Sequence, residues 1–314
     1  MHELAPNLEL LAAIRETEHV TRAAELLGVP QPTVSRRLAA LSEAVGTPLV
    51  VPHGRGVRLT RAGRTLADAA VRALAVMATG VREVREEIDP GSGRIVLGFL
   101  HLLGRSLVPA LVGGFRERHP GVRFSLVQGS REVILRRLRE GEIDLAFVAP
   151  LPSDDPDLTG TPLARQELML TVPAAHRLAG RRRVRAAELA DEDFVTLEKG
   201  YGVRQITDDL CAAAGFRPRI TFEGQESDTV RGLVTAGLGV ALLPGEATAP
   251  LQGVVEIPLS PAVFRTIGVV RPAQLTPVVR AFHAHVVSRT RDFGPEFSPP
   301  AENKRSSHGG ENSL

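Results

Sequence analysis

Residues 20–63 read VTRAAELLGVPQPTVSRRLAALSEAVGTPLVVPHGRGVRLTRAG, and this stretch sets the reading of everything on either side of it. A first helix opens near Thr21, whose hydroxyl can accept a free backbone N–H at a helix start, and stops at Gly28, which tolerates the left-handed backbone of a C-cap. A second begins around Pro30 to Pro32, because proline in a first turn gives up no hydrogen bond. Along it Val34, Leu38 and Leu41 recur at i, i+4 and i+7 and so face a core. Gln31, Pro32, Ser35 and Arg36 are left on the other side, with Thr33 and Arg37 beside them. Short hydrogen-bonding groups and a guanidinium on an outward helix face are the groups that reach base edges and phosphates in a DNA major groove.

The flanks support that reading. Leu8 to Glu18 forms a preceding helix behind a possible Asn7 cap, with Leu8, Leu11 and Ile14 on one stripe, so three helices share a small core. After Gly46, two β-prone runs surround the turn His53-Gly54-Arg55-Gly56 and make a hairpin, from which Arg55 and Arg58 can meet phosphates. The net charge of +2 does not announce a nucleic-acid binder, but its distribution does. Between Gly28 and Arg64 six arginines face one acid, Glu43.

Residues 62–88 continue as one long helix. Leu66, Ala70, Ala73, Met77, Gly80 and Val84 follow at spacings of four and three, which is either a short coiled-coil seam or a face packed on its own domain. Asp89-Pro90-Gly91-Ser92-Gly93 then marks a hinge.

From Arg94 strands and helices alternate, as in a largely parallel α/β sheet. Strands fall at 95–100, 122–127 and 143–148, then at 167–172, 194–197, 219–222 and 239–243. The chain re-enters the first unit at 264–270 and closes with a helix near 277–289, so two lobes joined by two crossings enclose a cleft. Ligands of open α/β sheets bind beyond the carboxyl ends of strands, where helix N-termini present free N–H groups. Three turns sit there: Leu100-His101-Leu102, Gln128-Gly129-Ser130, and Glu198 to Arg204 with Lys199, Tyr201, Gly202 and Val203. Lys199 and the backbone N–H groups suit a carboxylate, and Tyr201 can stack or donate a hydrogen bond. His101 is either a ligand contact or an exposed turn histidine, and the third turn is equally readable as a solvated surface loop.

The phrases TRAAELL, QPTVSRRLAALSEAVGTPLV and RGVRLTRAG resemble the winged helix-turn-helix of the LysR-type transcriptional regulators. LVPALVGGFRERHPGVRF and SDTVRGLVTAGLGVALLP extend the resemblance to about residue 290, into an effector domain similar to periplasmic binding proteins. The fold implied is an α+β multidomain chain. It has a DNA-binding domain at 1–61, a linker and dimerisation helix at 62–89, and an effector domain at 93–290. Lobe I of that domain covers about 93–163 and 266–290, lobe II about 164–265, and 293–314 form a polar, disordered tail. The resemblance implies dimerisation through Leu66, Ala70, Ala73, Met77 and Val84, and effector contact at Ser130, which also suits an N-cap. It implies a homodimer or tetramer on double-stranded operator DNA with inverted half-sites, a small, possibly anionic effector, and RNA polymerase as a partner of an activator. Pro30 and Pro52 depart from the family, which has a hydroxyl residue at the first position and an arginine near the second.

Other classes find little in the chain. The sequence holds no GxSxG elbow, GxxxxGK[ST] loop or HExxH helix, and His283 and His285, two apart on a helix, point to different faces. No enzyme activity, cofactor or metal is expected. The single Cys211 and the lack of a leader or a long apolar run fit a cytoplasmic protein without a membrane span. The rival reading is a stand-alone small-molecule binding protein, which would carry no DNA-binding unit.

Overall fold

Three short helices, α1 (Leu8–Thr17), α2 (Val20–Leu27) and α3 (Gln31–Val45), bury Leu11, Ile14, Ala23, Val34, Leu38 and Leu41 against one another in the computed structural model, which describes residues 7–54, 56–88, 93–153, 155–245 and 252–289. Gly28 and Gly46 end α2 and α3 with φ of 64° and 77°, the left-handed region in which a side chain would be strained. The hairpin β1 (Val50–His53) and β2 (Gly56–Leu59) follows as a wing. It docks where the Val57 N–H donates to the Glu18 carbonyl at 3.0 Å, and a Cβ on Gly56 would stand only 2.7 Å from that same oxygen. Asn7 does not cap α1; its Oδ1 accepts from Arg37 Nε at 2.7 Å.

The long helix α4 (Arg61–Ile88) starts under the wing, where Thr60 Oγ1 accepts the Gly63 N–H. Ala67 and Ala70 are fully buried in the helix-turn-helix core, and Leu66 packs against it.

A six-stranded sheet ordered β4-β3-β5-β10-β6-β9 carries the rest of the chain. β3 (Arg94–Phe99), β4 (Arg123–Gln128) and β5 (Leu145–Val148) are parallel and are covered by α5 (Leu107–Arg116), α6 (Arg131–Arg139) and α9 (Pro277–Ser288). This is lobe I. Lobe II adds β7 (Asp193–Leu197) and β8 (Arg219–Gly224), again parallel, with β9 (Ala241–Pro244), α7 (Gly202–Ala213) and α8 (Ser227–Thr235). The expected parallel order holds for β3, β4 and β5 and for β7 and β8, whereas β5 and β9 join two long strands antiparallel. β6 (Leu158–Pro173) and β10 (Val254–Pro272) are far longer than the sequence pattern suggests, pair antiparallel with each other, and run through both lobes. Their middle is the hinge: β10 joins β5 at Gly268 to Val270 in lobe I, and β6 joins β9 at Leu168 to Thr171 in lobe II.

The hinge expected at 89–93 falls, apart from Gly93, outside the described residues, as do Arg55 and the tail at 293–314.

Candidate DNA-binding face and ligand cleft

On α3 the side chains of Gln31, Pro32 and Arg36 are exposed, Thr33 and Ser35 are half-buried, and Gln31 Nε2 donates to Ser35 Oγ at 3.0 Å. Val34, Leu38 and Leu41 are sunk in the core, so burial of one stripe fixes the orientation of the other. Arg37 lies on the flank, half-buried, with its Nε held by Asn7. Thr21 is exposed at the second position of α2, whose N-cap is His19, so it offers a polar group beside α3 and does not cap the helix. Arg58 is exposed on β2. The basic wing and the polar α3 face therefore belong to one rigid unit, and no acid lies between them in sequence except Glu43.

The seam on α4 differs from its sequence pattern. Ala70 is 1 % exposed, buried within its own chain, and Leu66 is half-buried with part of its side chain on the same helix-turn-helix core. Ala73 is half-buried, whereas Met77 and Val84 stand 66 % and 56 % exposed, joined by Val81 and Ile88. Met77, Val81, Val84 and Ile88 repeat at four, three and four residues, a coiled-coil spacing. The opposite side of α4 is tied to lobe I. Arg82 pairs with Asp144 at 2.6 Å, and Glu86 accepts from Thr276 Oγ1 and the Val278 N–H.

Where the lobes meet, Leu100, His101, Tyr201, Gly202 and Val203 line one narrow cavity of about 30 Å³. That volume holds one ordered water, so the lobes are closed. A Cβ on Gly202 would stand 2.1 Å from the Ala149 carbonyl oxygen, and only glycine permits that approach of α7 to lobe I. The Glu132 N–H donates to the Gly200 carbonyl across the cleft at 3.2 Å, and the His101 and Tyr201 rings stack with centroids 6.3 Å apart. Burial, with Glu198 and Glu226 nearby, raises the Tyr201 hydroxyl above its ordinary pKa, so the phenol stays a hydrogen-bond donor. His101 Nδ1 is buried with no hydrogen-bond partner among the described residues.

Two expected contacts sit elsewhere. Lys199 is exposed and lines an adjoining outer hollow between α6 and α7 with Arg131 and Glu132, which shares Tyr201 and Gly202 with the inner cavity. Ser130 caps α6 by accepting the Val133 N–H and does not line the cavity, although its Oγ would lie 3.6 Å from a Cβ on Gly200. The cation that does line the cleft is Arg265 on β10. Its signal in sequence was a charge in phase with the buried Ile267 and Val269 of an apolar strand.

Helix α6 connects this cleft to the DNA-binding unit. Its N-terminal end meets Gly200, and just beyond its C-terminal end Glu140 receives Arg15 of α1 at 2.7 Å, while Arg15 also holds Asp68 of α4 at 2.6 Å. Among the described residues no cluster of His, Cys, Asp and Glu could hold a metal ion, and Cys211 is buried on α7 with its thiol pushed up to about 11, chiefly by burial.

Comparison with known proteins identifies both domains. Residues 6–64 match the family model for the bacterial regulatory helix-turn-helix protein, lysR family, and 89–291 match the LysR substrate binding domain. The chain is 34 % identical over 284 residues to the uncharacterised HTH-type transcriptional regulator YybE of Bacillus subtilis (strain 168), covering 90 % of this chain and 97 % of that one. It is 30 % identical over 268 residues to the DNA-binding transcriptional dual regulator OxyR of Escherichia coli (strain K12), covering 84 % and 88 %. Among solved structures, the effector binding domain of QuiR in complex with shikimate superposes with a TM-score of 0.60 at 26 % identity, over 64 % of this chain and 98 % of that one. The helix-turn-helix match removes the alternative of a stand-alone binding protein.

Proposed function

Because this chain belongs to the LysR family of bacterial transcriptional regulators, we propose that it reads an operator with Gln31, Pro32, Thr33, Ser35 and Arg36 while Thr21, Arg37, Arg55 and Arg58 serve the phosphate backbone. The protein is a DNA-binding regulator with an effector-binding domain. The observation that carries the residue assignment is the exposed α3 face of Gln31, Pro32 and Arg36 opposite a fully buried stripe. Two copies joined along Met77, Val81, Val84 and Ile88 would present two such faces to half-sites about one turn of DNA, or a multiple of it, apart. The α4 face is supported by its apolar exposure in the single chain, since such a stripe is costly to leave in water.

A small effector enters the cleft between Leu100, His101, Tyr201, Gly202 and Val203 and sets the angle between the lobes. α6 carries that angle to Arg15 and so to the DNA-binding unit. The work is regulation without catalysis, in the cytoplasm, with RNA polymerase as partner if the protein activates. No helix among the described residues is long and apolar enough to cross a membrane.

Binding of a footprinted operator by Arg36→Ala and Arg58→Ala, measured by fluorescence anisotropy across a salt series, tests the reading. Arg36→Ala should cost ~1–3 kcal/mol and relax specificity at one base pair, whereas Arg58→Ala should weaken all sequences alike and flatten the salt slope by about one. Equal losses on every sequence for both variants would remove Arg36 from base reading.

A further inference from the structure

Arg265 and Gln166 face each other in register at the middle of β10 and β6, the two strands that carry the chain between lobes. Arg265 is 3 % exposed and Gln166 is also buried. Both hydrogen bonds of the guanidinium go to one neutral oxygen, Gln166 Oε1, from Nε at 2.9 Å and Nη2 at 2.6 Å. No carboxylate lies within ion-pair distance of it among the described residues. The other two deeply buried arginines each have one: Arg204 holds Asp208 and Glu223, and Arg231 holds Glu256. An uncompensated buried cation is costly, and the usual remedies are a paired anion or loss of the proton. Burial alone lowers the Arg265 guanidinium only to about 10, so it is charged at neutral pH.

The surroundings supply what an anion needs. Arg265 lines the interlobe cavity, and no acidic residue does. Gly202 and Val203 begin α7 and Ser227 begins α8, so two helix N-termini of twelve and nine residues open on the same space. Neither has a side-chain cap, in contrast to α6 with Ser130. The first N–H groups of a helix have no intrahelical partner and carry partial positive charge. His101 Nδ1 adds a buried polar atom without a partner.

We propose that Arg265, positioned by Gln166, anchors a carboxylate-bearing effector through the edge of its guanidinium that Gln166 leaves free, with the starts of α7 and α8 completing the anion site. This rests on the reading of the cleft as the effector site. The planar, two-oxygen carboxylate matches the guanidinium fork, and the small closed volume admits its head group first. Any larger body attached to it opens the lobes. The charge sits on the hinge itself, so neutralising it changes the balance between lobe angles directly.

The test uses the full-length chain in a bulky sulfonate buffer at constant ionic strength, with formate and acetate as probes and formamide and acetamide as uncharged matches. Unfolding midpoints and titration calorimetry are read for the wild type, Arg265→Met and Arg265→Lys. Both carboxylates are expected to raise the wild-type midpoint while the amides do not. Arg265→Met should weaken acetate on the order of 10- to 100-fold and, without ligand, should melt no lower than the wild type because an unpaired charge has gone. Arg265→Lys should keep a reduced response, which separates loss of charge from loss of fold. An equal carboxylate response in Arg265→Met, or none in the wild type, overturns the proposal. Inorganic phosphate stabilising the wild type more than acetate would overturn the carboxylate assignment. A neutral metabolite that stabilises wild type and Arg265→Met alike would keep the cleft as effector site while removing Arg265 from it. Both readings fall together only if no small molecule, charged or neutral, shifts the wild-type midpoint.

Discussion

Gly202→Ala puts a single methyl group at the contact that holds the lobes together. The new Cβ would lie 2.1 Å from the Ala149 carbonyl oxygen and 2.5 Å from Pro150 Cδ, against an ordinary contact of 3.4 Å or more, so the shortfalls are 1.3 Å and 0.9 Å. One obstacle is backbone and the other a proline ring, and neither can rotate aside. If the lobes stay closed, overpacking costs ~1–3 kcal/mol. If they part instead, the cleft loses the Glu132 N–H to Gly200 hydrogen bond, worth ~0.5–1.5 kcal/mol net, and the His101–Tyr201 stack. Either route shifts the balance toward open lobes by ~1–3 kcal/mol, or about 5- to 150-fold. An effector that needs the closed cleft should bind more weakly by the same factor. Hydrogen exchange of the amides around residues 200–203, with calorimetric melting, reads the change directly. Gly113→Ala on α5, with nothing within 4 Å of its Cβ position, is the control and should be stabilising by up to ~1 kcal/mol from helix propensity alone. If Gly202→Ala melts and exchanges like the wild type, the steric account of closure is wrong.

Met77→Glu combined with Val84→Glu places like charges on the exposed α4 stripe and should convert the dimer to monomer in sedimentation, while circular dichroism and the melting of the effector domain stay unchanged. Arg15→Ala removes the link from α1 to Glu140 and Asp68; Glu140 is largely buried, so folding should lose on the order of 1 kcal/mol. The sharper readout is operator affinity with and without effector, whose ratio should fall toward one; an unchanged ratio refutes the α6 route. Cys211 should resist thiol reagents at pH 8, and peroxide should leave operator binding unaltered, since the buried thiol is pushed up to about 11. The native state then holds its proton more tightly than the unfolded chain, so stability present below pH 9 is lost as pH rises from 9 through 11, and Cys211→Ala should flatten that slope. A peroxide-dependent change in DNA affinity would contradict this.

The DNA-binding unit was legible because its structure is local. Val34, Leu38 and Leu41 lie within eight residues, and Gly28 and Gly46 end their helices where backbone chirality requires. The α4 seam was half legible. A period of three and four residues marks an apolar stripe but does not say what covers it: the helix-turn-helix core takes in Ala70 and part of Leu66, while Met77, Val81, Val84 and Ile88 stay exposed. Strand ends in the sequence mark the cleft turns, but not that Lys199 lines the outer hollow or that Arg265 lines the cavity. Tyr201 lines both the inner cavity and the outer hollow whereas Lys199 lines only the hollow, and Arg265 reaches the cleft from a strand more than sixty residues away in sequence.

Sequence by itself determined the helix-turn-helix, its polar face, the break after the long helix and the two α/β units, because each depends on neighbours a few residues apart and on periodicity that burial enforces. Tertiary structure alone decided that β6 and β10 form one antiparallel hinge, that Gly202 closes on Ala149, and that the cation of the cleft is Arg265. Those facts depend on register between distant strands and on which side chains are left without a partner once the strands have met, and neither is written in the spacing of residues along the chain.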